Sequence, residues 1–194
     1  PGWKTYWRAP GDAGIPPAFD WAGSENLAGV KFHWPAPSVF HTNGMQSIGY
    51  TGSVTLPFEV VARDPSAPVR LALRVDLGVC KDVCMPANVV LHAELAAGGT
   101  KDATIRAALR DRPATGREAG LSGIACDVEP ISDGLRLTAR MALPPLGGTE
   151  TVVFEPGLPG VWVAESVTRR EGGTLVSVTE MVPPTGEPFA LDRG

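Results

Sequence analysis

The stretch Val69-Arg-Leu-Ala-Leu-Arg-Val-Asp-Leu77 alternates between apolar and other side chains along its whole length. A period of two indicates a β-strand that buries one face, and it groups these apolar side chains together: Val69, Leu71, Leu73, Val75 and Leu77. Residues 88–95 are rich in strand-forming residues and predict a second strand. Because Cys80 and Cys84 lie between the two strands, we predict a hairpin-like pair with both cysteines in or beside its connection.

Shorter strand-like runs surround this pair and are separated by turn residues. The 23 glycines and 19 prolines are spaced between the runs rather than gathered in repeats, which favours short strands over long helices. Residues 36–44 resemble a loop, and residues 104–110 predict one short helical turn. The remaining strand predictions fall on residues 30–34, 53–62, 124–128, 134–141, 149–154, 161–167 and 174–181.

These strands predict an all-β protein that consists of two consecutive β-sandwich domains. The first domain would cover residues 1–112, a linker would follow at residues 113–120, and the second domain would cover residues 121–194. The chain opens on Pro-Gly-Trp and stops on Asp-Arg-Gly. We therefore expect both outer edges to be truncated and the sequence to be a piece of a longer protein.

Composition and charge exclude several classes of function. The 194 residues are 43% hydrophobic and 20% charged, an ordinary globular balance that suffices for a core. The formal net charge is -4 and no basic patch is visible, so we expect no nucleic-acid partner. No apolar run reaches the roughly 18–20 residues that a membrane helix needs.

The pair Cys80-Lys-Asp-Val-Cys84 is the main chemical feature of the sequence. A three-residue spacer in a tight loop can bring two cysteines within disulfide distance. The pair then predicts a redox-active dithiol, a local structural disulfide, or a Cu(I) site completed by His33, His41 or Met85. Zinc is disfavoured because no second cysteine pair or close histidine pair completes four ligands.

The residues around the pair leave their own roles open. Lys81 would favour a thiolate on a neighbouring cysteine, whereas Asp82 would oppose it. Asp82 could also assist proton transfer, although a solvated loop carboxylate is the favoured interpretation. The third cysteine, Cys126, lies in an apolar run of the second domain, and we predict a buried free thiol there.

Three stretches carry a family resemblance: Pro1-Gly-Trp-Lys-Thr-Tyr-Trp-Arg-Ala-Pro-Gly-Asp-Ala-Gly14, Ser47-Ile-Gly-Tyr-Thr-Gly-Ser-Val-Thr-Leu-Pro57 and Val79-Cys-Lys-Asp-Val-Cys-Met-Pro86. Together they resemble the periplasmic N-terminal region of the DsbD/ScsB group of thiol:disulfide interchange proteins. The likeness is nearer to the ScsB (suppressor of copper sensitivity) type. It covers most of residues 1–95, and residues 121–194 resemble the second sandwich of ScsB-type proteins.

The resemblance implies immunoglobulin-like sandwiches in which Cys80 and Cys84 form the catalytic pair. This pair would accept electrons from a transmembrane electron-transfer domain of the same protein and reduce a periplasmic thioredoxin-fold protein. The implied location is the periplasm, with a tether to the inner membrane, and no cofactor is expected. A copper-binding periplasmic module of a copper-tolerance system is the alternative function.

The resemblance also assigns supporting residues. Cys84 would be the sulfur that links to the partner. Phe40, within residues 38–46, would be the aromatic cap over the cysteines, and Tyr6 would be either an aromatic neighbour of the pair or a core residue. The cysteine spacing is shorter than in DsbD proper, so the shielding and partner choice of DsbD do not transfer directly.

Overall fold

The computed structural model describes residues 2–42, 44–96, 98–158 and 160–184 of the chain. The chain separates into two compact units. The first comprises Pro1–Asn43 and Ser47–Pro113, and the second comprises Gly44–Gln46 and Ala114–Gly194. No helix in the described ranges is long and apolar enough to cross a membrane.

The first unit holds eight strands and one helix among its described residues. Six strands form one sheet, in the order β2-β7-β1-β5-β4 with β8 paired to β7, and β3 pairs with β6 in a second sheet. The elements are β1 (Lys4–Tyr6), β2 (Ala18–Asp20), β3 (Leu27–Phe32), β4 (Ser38–Thr42), β5 (Met45–Thr51), β6 (Phe58–Ala62), β7 (Val69–Cys80), β8 (Cys84–Leu95) and α1 (Ala103–Arg110).

Strand β7 is the long central strand of this unit. Its whole length pairs with β8 along one edge. The other edge is shared by two short strands, since β2 pairs with residues 74–76 and β1 reaches only Cys80. The apolar face predicted for β7 is largely buried, with Val69, Leu71, Leu73 and Val75 all under 9% exposed.

An aromatic cluster joins the two sheets of the first unit. Phe19 of β2 in the large sheet lies 4.5 Å, between ring centroids, from Phe32 of β3 in the small sheet. Trp21, Trp34 and Phe58 lie around these two rings at centroid distances of 5.8–6.4 Å, and Trp21 lies 5.2 Å from Phe58. The tilted and edge-on arrangements are those that aromatic pairs favour, so the cluster holds the two sheets together.

In the second unit, the described residues form a five-stranded sheet in the order β11-β13-β10-β9, with β12 also paired to β13. Its strands are β9 (Gly123–Pro130), β10 (Leu135–Ala142), β11 (Trp162–Val163), β12 (Val167–Glu171) and β13 (Thr174–Val182). The central strand β13 buries the face that carries Leu175, Ser177, Thr179 and Met181. The polar residues on that face, Ser177 and Thr179, are satisfied by hydrogen bonds to Thr168 and to the carbonyl of Ala164.

The immunoglobulin-like, all-β fold class is confirmed, and the hairpin predicted from residues 69–95 is present as β7 and β8. Several element predictions were wrong in detail. Residues 36–44 contain the strand β4, whereas residues 149–154 form no strand. The strand predicted from residue 53 begins only at Phe58, directly after Pro57, which has no N–H to donate to a neighbouring strand.

The helical turn predicted at residues 104–110 is the helix α1. Asp102 caps it, since its side chain accepts hydrogen bonds from the backbone N–H groups of Thr104 and Ile105 at 2.7 and 2.9 Å.

Candidate functional site

Cys80 and Cys84 form a disulfide at the tip of the β7–β8 hairpin. Cys80 is the last residue of β7, Cys84 is the first residue of β8, and the two are register partners with Cα atoms 4.1 Å apart. Only residues 81–83 lie between the strands, and the turn is closed by the Lys81 N–H, which donates to the Val83 carbonyl at 3.1 Å. The hairpin therefore holds the two sulfurs together.

The two cysteines differ sharply in exposure. Cys80 is only 2% exposed, whereas Cys84 is an exposed residue. The residues on either side of Cys84, Val83 and Met85, are apolar and 68% and 55% exposed. An external thiolate can therefore approach the sulfur of Cys84 across an apolar surface, while the sulfur of Cys80 is covered.

Tyr6 touches the exposed sulfur from the neighbouring strand β1. Its side chain is 3% exposed, and its hydroxyl lies 3.7 Å from the Cys84 Sγ. A disulfide sulfur has no proton, so the hydroxyl is the donor in this contact. Burial raises the pKa of Tyr6 above its ordinary value of 10, so the hydroxyl keeps its proton at neutral pH.

Glycines shape the space around Tyr6. Gly78 lies two residues before Cys80 and therefore on the same face of β7. A Cβ at Gly78 would come within 2.8 Å of the Ile15 Cβ and 3.3 Å of the Tyr6 Cε2. A Cβ at Gly14 would come within 2.9 Å of the Tyr6 Cδ1. The loop between β1 and β2 can thus lie close over β7 beside the disulfide.

Ile15 was not predicted from the sequence as part of the site. Its side chain is 48% exposed and lies over Gly78. The only sequence signal was Gly78 itself, which interrupts an apolar strand two residues before Cys80 and marks a close approach of other atoms.

Phe40 lies elsewhere on the sheet than its proposed role as a cap requires. It belongs to β4, and both β5 and β1 lie between β4 and β7. Three strand spacings of about 4.8 Å each separate its backbone from Cys80. The Phe40 ring instead lies against Lys4, whose Nζ is 5.4 Å from the ring centroid. In this structure Phe40 does not cover the sulfurs.

The charged residues of the turn face each other. The Lys81 Nζ is 3.7 Å from the Asp82 carboxylate, and the Asp82 side chain is 87% exposed. This placement matches the solvated loop carboxylate expected for Asp82. The cation of Lys81 has its own neighbouring anion, which weakens its effect on the cysteines.

The two histidines considered for a copper site lie in other elements than the cysteine pair. His33 bonds Glu59, with 2.7 Å between the His33 Nε2 and the carboxylate, and His41 belongs to β4. Across the described ranges, no cluster of three or more His, Cys, Asp or Glu side chains is arranged to hold a metal ion.

Cys126 was predicted to be buried, and this prediction was wrong: its thiol is free and exposed. Cys126 is the register partner of Ala139, which is 1% exposed in the middle of the sheet. The apolar run around Cys126 forms β9, whose strand pairing is with β10 alone at the end of the sheet order.

Comparison with known families shows which proteins the first unit is similar to. Residues 1–95 match the model of the family described as "Thiol:disulfide interchange protein DsbD, N-terminal". Residues 1–95 are similar to the DsbD N-terminal family. The family resemblance drawn from the three sequence stretches is therefore confirmed for this unit, and the match supports a thiol:disulfide interchange module.

The fold of the longer chain has a solved relative. The N-terminal periplasmic domain of ScsB from Proteus mirabilis superimposes with a TM-score of 0.68 at 23% sequence identity. The match covers 98% of this chain and 73% of that one, so both units share the fold of that structure. The comparison with curated proteins gave no significant match.

Proposed function

We propose that the chain is a periplasmic thiol:disulfide interchange module whose Cys80/Cys84 pair exchanges electrons with other proteins. The observation that carries the proposal is a hairpin-tip disulfide with one covered and one exposed sulfur. A disulfide that serves only as a crosslink gains nothing from an exposed sulfur. The match of residues 1–95 to the DsbD N-terminal family supports the same function.

The exchange proceeds in two steps. In the reduced form, the Cys84 thiolate attacks one sulfur of a partner disulfide, forms a mixed disulfide and releases the partner's other sulfur as a thiolate. The Cys80 thiolate then attacks the Cys84 sulfur, which closes the Cys80–Cys84 bond and releases the partner's second sulfur. Two electrons pass to the partner, which takes up two protons as its thiolates are protonated.

We propose a thioredoxin-fold protein of the periplasm as the electron acceptor and a transmembrane domain of the same protein as the donor. Val83 and Met85 provide exposed apolar contacts beside the sulfur that must be reached. Both partners would use this surface in turn, because the Cys84 sulfur is the accessible one. This arrangement requires a tether to the inner membrane, which we propose as part of the same function.

The placement of the individual residues supports the roles that we propose for them. Cys84 is the sulfur that links to partners, and Cys80 resolves the mixed disulfide. Tyr6 supports Cys84 through the contact between its hydroxyl and the sulfur.

The two cysteines can be separated by a trapping experiment. The Cys80→Ser and Cys84→Ser variants would each be mixed with a bacterial thioredoxin that lacks its resolving cysteine and is activated as a thionitrobenzoate mixed disulfide. We expect Cys80→Ser to form a covalent complex through the exposed Cys84, and Cys84→Ser to react at least tenfold more slowly because Cys80 is covered. Non-reducing electrophoresis measures both yields over time.

Both variants would carry Cys126→Ser, because the exposed thiol of Cys126 would otherwise react as well. Equal trapping by the two variants would contradict the assignment of Cys84 as the linking sulfur. No trapping by either, together with a wild-type disulfide that stays closed through a glutathione redox series, would show that the bond is a structural crosslink.

A further inference from the structure

Lys4 lies on the same face of the sheet as the disulfide. It is the register partner of Cys80 across the β1–β7 pair, and side chains of register partners project from the same face. Tyr6, two residues further along β1, shares this face and contacts Cys84. The Lys4 side chain therefore projects beside both sulfurs.

The ammonium group of Lys4 has neutral partners. Its Nζ donates to the Ser47 Oγ at 2.9 Å and lies over the Phe40 ring, and the residue is half-buried. Within the described residues, no carboxylate forms an ion pair with Lys4, in contrast to Lys81 with Asp82. A cation in this position lacks much of its hydration and gains no compensating anion while the disulfide is closed.

The elements packed around Lys4 supply few titratable groups on this face. By strand alternation, β5 presents Ser47, Gly49 and Thr51, and β4 presents Ser38, Phe40 and Thr42, none of which titrates. From β1 the titratable neighbour is Tyr6, which is protonated at neutral pH, and from the hairpin turn it is the Lys81–Asp82 pair.

Thiol exchange creates the missing anion. When an electron donor's thiolate attacks the Cys84 sulfur, a new sulfur–sulfur bond forms there and the bond to Cys80 breaks. The electron pair of the broken bond stays on the Cys80 sulfur, so the negative charge moves from the donor to a residue that is 2% exposed. A buried thiolate is costly without a nearby positive charge.

We propose that Lys4 is the counter-charge for the Cys80 thiolate, an inference that rests on the proposed exchange function. On opening of the disulfide, the flexible side chain of Lys4 leaves Ser47 and places its ammonium beside the Cys80 sulfur. Backbones of register partners lie about 4.5–5.5 Å apart, which is within reach of a lysine side chain. Lys4 thereby stabilises the leaving sulfur during reduction and the resolving thiolate during oxidation.

The test is a thiolate titration of the reduced protein by absorbance near 240 nm, in a Cys126→Ser background that removes the third thiol. The chain has only two tyrosines, and burial raises the pKa of both Tyr6 and Tyr50, so tyrosinate absorbance stays clear of the thiolate transition. The titration follows the ionisation of Cys80 and Cys84, and the midpoint of interest is that of the thiol that ionises at the lower pH. We expect Lys4→Met to raise this midpoint by about one pH unit. Reduction by dithiothreitol at pH 7 should slow by roughly tenfold.

Three variants serve as controls. Lys4→Arg keeps the charge and should restore most of the thiolate signal at pH 7. Ser47→Ala removes the neutral partner without removing the cation, and Lys81→Met removes a cation that is paired with Asp82. Neither should move the midpoint by more than a few tenths of a pH unit.

A Lys4→Met protein that folds, exchanges with thioredoxin and keeps the wild-type midpoint would overturn the inference and leave the proposed function intact. Lys4→Gln is measured in the same way in case Lys4→Met does not fold. Failure of the wild-type protein to exchange at all would instead remove the proposed function. A higher midpoint in both neutral variants, reversed by Lys4→Arg, is the result that supports the role of Lys4.

Discussion

Tyr6 is a buried side chain whose hydroxyl contacts the disulfide directly. Its ring packs beside Gly14 and Gly78, and its hydroxyl contacts the sulfur of Cys84, the exposed cysteine of the pair. Such a hydroxyl can donate to a thiolate on Cys84 as well as to the disulfide, because burial keeps it protonated. The contact therefore favours the charged, reduced form of the cysteine.

Replacing Tyr6 by Phe removes this donor and leaves the buried ring in place. We expect the exchange rate with thioredoxin to fall about two- to tenfold, the range of one hydrogen bond. Because burial raises the Tyr6 pKa above 10, the difference should persist up to pH 10 and shrink only at higher pH. Stopped-flow rates from pH 6 to 10 provide the measurement, and an unchanged rate would show that the ring alone matters.

Sequence patterns found some of these residues and missed others for a physical reason. The cysteine pair could be found from the sequence because two cysteines with a three-residue spacer can form a disulfide. Tyr6 was found through the family resemblance. Lys4 and Ile15 were missed because their importance depends on which strand lies beside Cys80. Phe40 was assigned as a cap from its place in the sequence, whereas strand order sets its distance from the sulfurs.

At the scale of elements, the loop between β1 and β2 completes the site. Both strands pair with the same edge of β7 and leave residues 77–79 between them, and Ile15 of the loop lies over the middle residue, Gly78. Ile15 occupies the space where a larger residue at this position would place its side chain. The absence of a side chain at one position of β7 therefore lets a separate loop approach the disulfide.

The change Gly78→Ala tests this packing. Its Cβ would lie 2.8 Å from the Ile15 Cβ, so we expect the loop to be displaced and the free energy of unfolding to fall by about 1–3 kcal/mol. Urea denaturation measures the loss. Gly29→Ala in β3 is the matched control, since nothing lies within 4 Å of its Cβ position, and equal losses in the two variants would contradict the packing argument.

Residues 149–154 show where strand patterns fail. Thr149-Glu-Thr-Val-Val-Phe154 has high β-propensity, yet these residues join no sheet. They are fixed by side chains instead, since Glu150 pairs with Arg170 and the Val152 carbonyl accepts a hydrogen bond from Ser166. The alternation of β7, by contrast, predicted its strand correctly because one face is buried along its length.

At the scale of the whole molecule, the Glu150–Arg170 pair ties a strand-free segment to the sheet of the second unit. The two side chains are only 17% and 21% exposed. Hydrogen bonds from Arg170 hold the pKa of Glu150 below its ordinary value of 4.5. The stability that the pair contributes is therefore fully present above pH 4.5 and is lost as the pH falls through the lowered pKa.

We expect Glu150→Gln to lower the Tm at pH 7 by about 2–4 °C, with a difference from the wild type that shrinks below pH 4.5. Circular dichroism melts at pH 7, 4.5 and 3 provide the measurement. Glu171→Gln is the control, because the Arg169–Glu171 pair is more than half exposed and should contribute little. A difference that grows on acidification would contradict the assignment.

The overall architecture was predictable only in part. Alternation and turn residues gave the all-β class, since they depend on neighbours in the chain. The order of strands within each sheet depends on distant contacts, and β7 and β13 each share one edge between two short strands, an arrangement that periodicity cannot reveal. The exposure of Cys126 was missed because it too depends on strand order. An outer strand and an inner strand can have the same pattern of apolar residues.

The three-residue turn between the cysteines determines how little the hairpin changes when the disulfide opens. The disulfide joins residues that the β7–β8 ladder already holds as partners, so it encloses very little additional chain. Breaking it releases almost no conformational freedom, and the eleven register pairs of residues 69–79 remain to align the sulfurs. The β7–β8 ladder can therefore stay paired whether the disulfide is open or closed, as the proposed exchange cycle requires.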